Sequence, residues 1–323
     1  MRVVVVGAGA WGTALANVAA EATDRETPLL GRDAGRMAEV AETRVNAERL
    51  PDIRLHPKVL PTADHDVVRD ADIVLLVSPT QALRQVAAEL APLVRRDAIA
   101  VTCCKGVEQG TLELPHEVLA ESLPGLRHAI LSGPSFAEDV ALGLPTAVTL
   151  ACVEADAAAR IAESLATRTF RPYWSDDVVG AALGGAAKNV LAIAAGAVAG
   201  RGLGLSAVAA MVARGFAELA RLGLVLGARP ETLAGLSGLG DLVLTTSSTK
   251  SRNFSLGLAL GRGEPRPNKL AEGAATVEAL IGLAAEHGVD MPISSAVADV
   301  LAERVSVGAA VANLLARPLR AEV

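Results

Sequence analysis

The sequence predicts an α/β chain in two parts, a doubly wound parallel sheet over residues 1–177 followed by an all-α domain over 178–323. Three observations carry this. A β-branched run, Arg2 to Val6, leads straight into a glycine-spaced turn and then a helix. Short apolar runs alternate with helix-like stretches as far as residue 177. From Val178 onward the helical period dominates and strand-like runs are few.

Arg2 to Val6 is too short for a helix and reads as a strand buried on both faces. Gly7 to Gly12, G-A-G-A-W-G, has G-x-G-x-x-G spacing, and Thr13 to Ala20 continues as a helix. In that context the motif marks a Rossmann-like dinucleotide-binding turn. Gly7 permits the tight turn, Gly9 lets a pyrophosphate approach the backbone, and Gly12 lets helix pack on strand. The same opening mimics a secretory signal, but its glycines fall where a strand-to-helix turn needs them.

Thr27 to Gly31 ends in Arg32 and Asp33, at the distance where such folds contact the adenosine ribose. An acid there favours NAD and an arginine favours NADP; the chain offers both. Asp72 to Val77 is another strand, Thr80 to Leu90 a helix, and Ala98 to Thr102 a strand that runs into CCKGVE. Lys105 thus lies just past a strand's carboxyl end, where ligands of doubly wound sheets sit. His128 to Leu131 ends in S-G-P-S-F, where Gly133 and Ser135 offer a small anion N–H groups and a hydroxyl, or form an ordinary Gly-Pro turn. Pro145 to Cys152 and Thr169 to Trp174 read as strands, and Ser175-Asp176-Asp177 as a helix cap.

Val178 to Gly200 carries one charged residue, Lys188, among small and apolar ones. A lysine so placed is paired, faces a cleft, is tuned for proton transfer, or snorkels to solvent. The stretch is rich in Ala and Gly, with Lys188 near its middle, which argues against a membrane span. Ala234 to Thr246 reads as a Gly-punctuated loop holding one acid, Asp241, and Lys250-Ser251-Arg252-Asn253 as a loop that follows it. Thr276 to Glu286 and Ser295 to Ala316 read as amphipathic helices.

With 323 residues, 51% of them hydrophobic, and a mean hydropathy of +0.38, the chain reads as soluble and globular. A net charge of −6 and 2% aromatics argue against nucleic acid as a partner, lacking both a basic face and a stacking platform. Three cysteines make neither a disulfide framework nor a metal pattern, and fit a reducing cytoplasm.

GAGAWGTALA, CCKGVEQGT, LSGPSFAEDVALGLPTA, GGAAKNVLAIAAG, ARPETLAGLSGLGDLVLT and SRN follow in order over nearly the whole chain. Together they resemble the bacterial-type NAD(P)-dependent sn-glycerol-3-phosphate dehydrogenases. The resemblance implies reversible reduction of dihydroxyacetone phosphate by NADPH or NADH, serving glycerophospholipid synthesis, in a cytoplasmic homodimer. It implies Lys188 as general acid/base, with Asn189 and Asp241 beside it. Lys105, Gly133, Ser135, Ser251, Arg252 and Asn253 would hold substrate, as would Thr245. Gly7, Gly9, Ala10, Trp11, Gly12, Arg32, Lys105, Ala137, Arg252, Leu270 and Glu272 would hold cofactor, with Arg32 tilting the choice toward NADP. No metal is implied. The chain departs from the family's pattern at Leu205 and Ser206, where an Asp or Asn is usual, and in a short loop from Gly263 to Lys269. Other readings are a paralogue acting on another small phosphorylated or carboxylated substrate, and a cofactor-binding sensor without turnover. The SRN turn favours phosphate, and Lys188, Asp241 and Arg252 together favour turnover.

Overall fold

The computed structural model describes residues 1–267 and 271–318. Eight strands form one sheet: β1 Val3–Val6, β2 Thr27–Leu30, β3 Val59–Thr62, β4 Ile73–Leu76, β5 Ile99–Thr102, β6 Arg127–Ser132, β7 Thr146–Cys152 and β8 Phe170–Ser175. Their order is β3-β2-β1-β4-β5-β6-β7-β8. Helices α1 Ala10–Thr23, α2 Ala34–Thr43, α3 Thr80–Leu90, α4 Pro115–Ser122, α5 Ala137–Ala141 and α6 Ala155–Leu165 connect them. The chain then turns wholly helical: α7 Val178–Gly200, α8 Leu205–Val225, α9 Pro230–Leu233, α10 Asp241–Thr246, α11 Arg252–Arg262, α12 Glu272–Glu286, α13 Pro292–Leu301 and α14 Val307–Leu315.

The expected parallel sheet is present with one reversal, because β7 runs antiparallel to β6. The cause is local. The five residues of α5 advance only about 7.5 Å, too little to carry the chain back along six-residue β6, about 20 Å long. The two edge strands each carry a proline, Pro61 in β3 and Pro172 in β8.

Apolar strands bury both faces of the sheet. Val3, Val5, Leu29, Ile73 and Leu75 pack under α1 and α6, while Val4, Val74 and Leu76 pack under α3 and α4. A third core surrounds α7, which is buried from Gly180 to Gly196 and capped by Asp177, whose carboxylate accepts from the Gly180 N–H at 2.8 Å. By length and composition α7 could cross a membrane, yet 89% of its apolar window is packed inside the protein.

Glycines set how closely α7 and α11 cross. A Cβ on Gly257 would run into the Ile193 carbonyl, one on Gly261 into the Ala197 carbonyl, and one on Gly196 into the Phe254 carbonyl. On the far side, Glu218 of α8 is buried and accepts from the Ile293 and Ser294 N–H groups at 2.7 and 3.2 Å, capping α13 from another helix. Burial pushes its carboxyl up to about 7, against the pull of those N–H groups.

Three expectations need correction. Ala234 to Thr246 is no open loop: it contains a π-helical turn, Leu236–Gly240, and then α10. Gly238 serves packing, since a Cβ there would strike the Leu233 carbonyl. Lys250 to Asn253 is not all loop either, because Ser251 caps α11 by accepting from the Phe254 N–H at 3.2 Å. The single helix expected from Ser295 to Ala316 is two, broken at 302–306, where Glu303 turns left-handed and Ser306 caps α14.

Candidate active site

The glycine turn lies at the switch point of the sheet, between the carboxyl ends of β1 and β4. Its three glycines do different work. A Cβ on Gly7 would strike the Val77 carbonyl, and one on Gly12 the Gly7 carbonyl, so these two are required by packing. A Cβ on Gly9 would meet nothing within 4 Å, so its bareness serves something outside the chain. Gly9 is also the N-cap of α1 with no side-chain cap, which leaves the first N–H groups of the helix free for an anion. Helix α1 begins at Ala10, three residues earlier than the sequence suggests, so Ala10 and Trp11 are first-turn residues. The indole Nε1 of Trp11 is buried without a partner among the described residues.

Arg32 follows β2 and is exposed. Its neighbour Asp33 spends one carboxylate oxygen capping α2, accepting from the Arg36 N–H at 3.0 Å. The acid is thereby engaged locally while the arginine is open, which suits a 2′-phosphate. A dinucleotide therefore fits the carboxyl end of the sheet: free N–H groups, an open glycine and an exposed arginine stand where its pyrophosphate and ribose would lie. Leu270 lies outside the described residues.

Beyond the glycine turn, residues from both halves of the chain meet at one carboxylate. Asp241, the first residue of α10, is 1% exposed. Its Oδ1 accepts from Lys188 Nζ at 2.9 Å, and its Oδ2 from Lys105 Nζ at 2.7 Å. Lys188 Nζ also donates to Thr245 Oγ1 at 2.8 Å, and Lys105 Nζ to the Gly133 carbonyl at 3.0 Å. Each ammonium has three hydrogens, so each keeps one beyond these contacts. Burial lowers the Lys188 pKa from the usual lysine value, opposed by Asp241 and assisted by Lys105. Burial also works against ionised Asp241, but the two ammonium groups outweigh it and hold the carboxyl below the usual range.

The asparagines form a chain. Asn189 Nδ2 donates to the Lys105 carbonyl at 3.1 Å, Asn253 Nδ2 to Asn189 Oδ1 at 2.9 Å, and the Gly273 N–H to Asn253 Oδ1 at 2.9 Å. The tight α7–α11 crossing makes this possible, because it sets Asn253, in the first turn of α11, beside Asn189. Gly273 follows Glu272, which is half-buried; desolvation pushes its carboxyl up, against the pull of Arg252, Lys188 and Lys105. Ser135 Oγ donates to the Gly133 carbonyl at 3.0 Å, and Ala137 opens α5 just beyond. Ser251 is buried as the cap of α11, and Arg252 is exposed at its first turn.

Sequence reading passed over Ser132, whose buried Oγ has no partner among the described residues and would crowd a Cβ on Gly185 at 2.8 Å. Its one signal is its place as first letter of the S-G-P-S turn. It passed over Thr80 and Thr276 too, whose hydroxyls flank Gly106 so closely that a Cβ there would lie 2.7 and 2.8 Å from them.

Comparison with known proteins gives the chain's family and fold. Models of the NAD-dependent glycerol-3-phosphate dehydrogenase N-terminus and C-terminus match residues 2–158 and 177–312. A protein of Bradyrhizobium diazoefficiens named glycerol-3-phosphate dehydrogenase (NAD(P)+) is 54% identical over 321 residues, covering 99% of this chain and 98% of its own. One of the same name from Azorhizobium caulinodans is 56% identical over 323 residues, with the same coverage. The crystal structure of a glycerol-3-phosphate dehydrogenase from Coxiella burnetii superposes with a TM-score of 0.93 at 36% identity, covering 98% of this chain and 99% of that one.

Proposed function

The chain belongs to the NAD-dependent glycerol-3-phosphate dehydrogenase family, and from that premise we propose how its residues divide the work. The reaction is reversible hydride transfer between NAD(P)H and dihydroxyacetone phosphate, giving sn-glycerol 3-phosphate. We place the division of labour at residue 177, with cofactor held by 1–177 and acid/base chemistry carried by 178–323. The observation that carries this reading is the pair of lysines, one from each part, on the two oxygens of Asp241.

Gly7, Gly9, Ala10, Trp11 and Gly12 would seat the pyrophosphate, and Arg32 the ribose end. Ala137 and Glu272 would border the rest of the cofactor. When bound, the reduced nicotinamide supplies the hydride that goes to the carbonyl carbon of the substrate. Lys188 gives its proton to the carbonyl oxygen as negative charge develops there, using the hydrogen that Asp241 and Thr245 leave free. Asp241 and Thr245 aim that ammonium, and Asn189 fixes the Lys105 backbone from behind. Lys105 holds the substrate's polar end with its own remaining hydrogen, and the Gly133–Ser135 turn shapes the wall. Arg252, with Ser251 and Asn253 at the start of α11, would take the phosphate, since a guanidinium can grip two of its oxygens at once.

We further propose a cytoplasmic homodimer that supplies glycerophospholipid synthesis; the free, buried state of Cys103, Cys104 and Cys152 supports a reducing compartment. Initial rates with dihydroxyacetone phosphate against NADPH and NADH test the substrate, and size-exclusion chromatography tests the assembly. Faster turnover of a carboxylated keto acid than of dihydroxyacetone phosphate would overturn the substrate assignment.

A further inference from the structure

We infer that Asn46 is the positioning residue of the phosphate turn, setting the direction in which the N–H groups of Gly9 and Ala10 point. The inference rests on the cofactor reading given above. Asn46 lies outside every strand and helix and is 1% exposed. Its Nδ2 gives one hydrogen to the Ala8 carbonyl at 3.1 Å and the other to Thr13 Oγ1 at 2.8 Å. Thr13 Oγ1 passes its own hydrogen to the Gly9 carbonyl at 2.8 Å.

Two successive carbonyls of the turn are therefore tied to one buried side chain, Ala8 directly and Gly9 through a hydroxyl. A trans peptide is planar, with its C=O and the next N–H pointing opposite ways. Fixing the carbonyls of Ala8 and Gly9 inward turns the N–H groups of Gly9 and Ala10 outward, toward the space where a Cβ on Gly9 would meet nothing. Those N–H groups carry the partial positive charge at the start of α1.

Asn46 is itself anchored. Its carbonyl accepts from the Arg49 and Leu50 N–H groups at 2.9 and 2.8 Å. Its Oδ1 accepts from Arg36 at 3.4 Å, and Arg36 is held by Glu48 at 2.7 Å. Arg36 belongs to the first turn of α2, which Asp33 caps beside Arg32. One amide thus joins the pyrophosphate end of the site to the ribose end, and fixes the turn before any ligand arrives.

The test uses the full-length protein with Asn46→Leu, which fills similar space without donors, and Thr13→Val, which removes the hydroxyl between Asn46 and the Gly9 carbonyl while the Thr13 N–H bond to that carbonyl, at 2.9 Å, stays. Losing these bonds should weaken NADPH by about 10- to 100-fold for Asn46→Leu and by a smaller factor for Thr13→Val, measured as Kd by fluorescence titration. The Kd of adenosine 2′-monophosphate, which lacks a pyrophosphate, should move by less than about three-fold, as should kcat at saturating NADPH and KM for dihydroxyacetone phosphate. A merely structural role would shift both ligands, or the active fraction, together. NADPH binding equal to wild type in either folded variant, or equal loss of both nucleotides, overturns the inference, and Thr13→Val decides it alone should Asn46→Leu fail to fold. Wild-type protein that binds NADPH but does not reduce dihydroxyacetone phosphate would count against the reaction and leave Asn46's role standing.

Discussion

Lys105 and Lys188, 83 positions apart in the chain, place their ammonium groups on opposite oxygens of the Asp241 carboxylate, at 2.7 and 2.9 Å. Two cations sharing one buried anion leave the group with an excess of positive charge. That excess suits an alkoxide and a phosphate, and it helps burial keep the Lys188 proton easy to give away.

Lys188→Ala removes the proton donor while Lys105 still neutralises Asp241. We expect kcat to fall by at least about 100-fold, with NADPH affinity unchanged by titration. Near-normal turnover would refute Lys188 as the acid.

Asp241→Asn strands the buried Lys188 ammonium and the half-buried Lys105 beside it. Breaking a buried ion pair from one side costs about 3 to 5 kcal/mol, readable as a lower denaturant midpoint. Asp241 is also what opposes the lowering of the Lys188 pKa. Without it that pKa falls further, and since reduction of the ketone needs protonated lysine, the alkaline limb of the kcat profile should move to lower pH. A limb that stays in place would show that Asp241 does not govern the lysine.

Arg32→Ala should weaken NADPH more than NADH, because only NADPH carries the 2′-phosphate that the guanidinium would pair, and the neighbouring Asp33 carboxylate repels it. The expected loss is about 1.5 to 3 kcal/mol for a charged hydrogen-bond partner, and the two Kd values measured side by side decide it. Equal losses would assign the ribose end to another residue.

Arg252→Ala should reduce kcat/KM for dihydroxyacetone phosphate by roughly two to nearly four orders of magnitude, while poor turnover of unphosphorylated dihydroxyacetone changes little. Arg252→Lys should recover only part, a point charge being unable to make the two-pronged contact. NADPH affinity must be followed in parallel, since the family resemblance also implies Arg252 at the cofactor. Equal factors lost with both substrates would move phosphate recognition elsewhere.

Glu218→Gln should flatten a pH dependence of stability. Burial raises the folded-state pKa to about 7 from an ordinary 4.5, so on acidification the folded form takes the proton first. The native state is therefore favoured most below about pH 4.5, and that advantage is lost as pH rises through about 7. Glutamine keeps an oxygen for the Ile293 N–H and never ionises. At pH 5 the two proteins should melt nearly together, and at pH 8 the variant should gain by up to about 3 kcal/mol. A parallel pair of curves would place the charge of Glu218 in water.

What the sequence made legible was carried by neighbouring residues. G-A-G-A-W-G stands between a strand and a helix, so its meaning is local, and Lys188 announces itself as one charge in an apolar helix. The partnership of Lys105 with Asp241 is not of this kind, because it depends on two chain segments meeting in space. Ala234 to Thr246 read as a loop because glycine signals a break, whereas Gly238 is there to let backbone approach backbone. The break at 302–306 carries neither Gly nor Pro, so the helical period ran through it unmarked. Strand β3 was missed because Pro61 demotes such a run, and Asn46 because a single buried amide leaves no period at all.

Pro61 and Pro172 bear on how copies of the chain can meet. In β8 the Arg171 and Tyr173 backbone groups face β7, since the Thr146 N–H reaches the Thr169 carbonyl and ladder partners alternate, so Pro172 points its ring nitrogen away from the sheet. In β3, by the same alternation from the bond between the Thr27 N–H and the Lys58 carbonyl, Pro61 points outward as well. Each open margin thus lacks a donor where an incoming strand would need one. Sideways accretion of one sheet onto another is obstructed at both ends, guarding a crowded, freshly made population of this protein from fibrous association. Any partnership between two copies is steered to the helical faces.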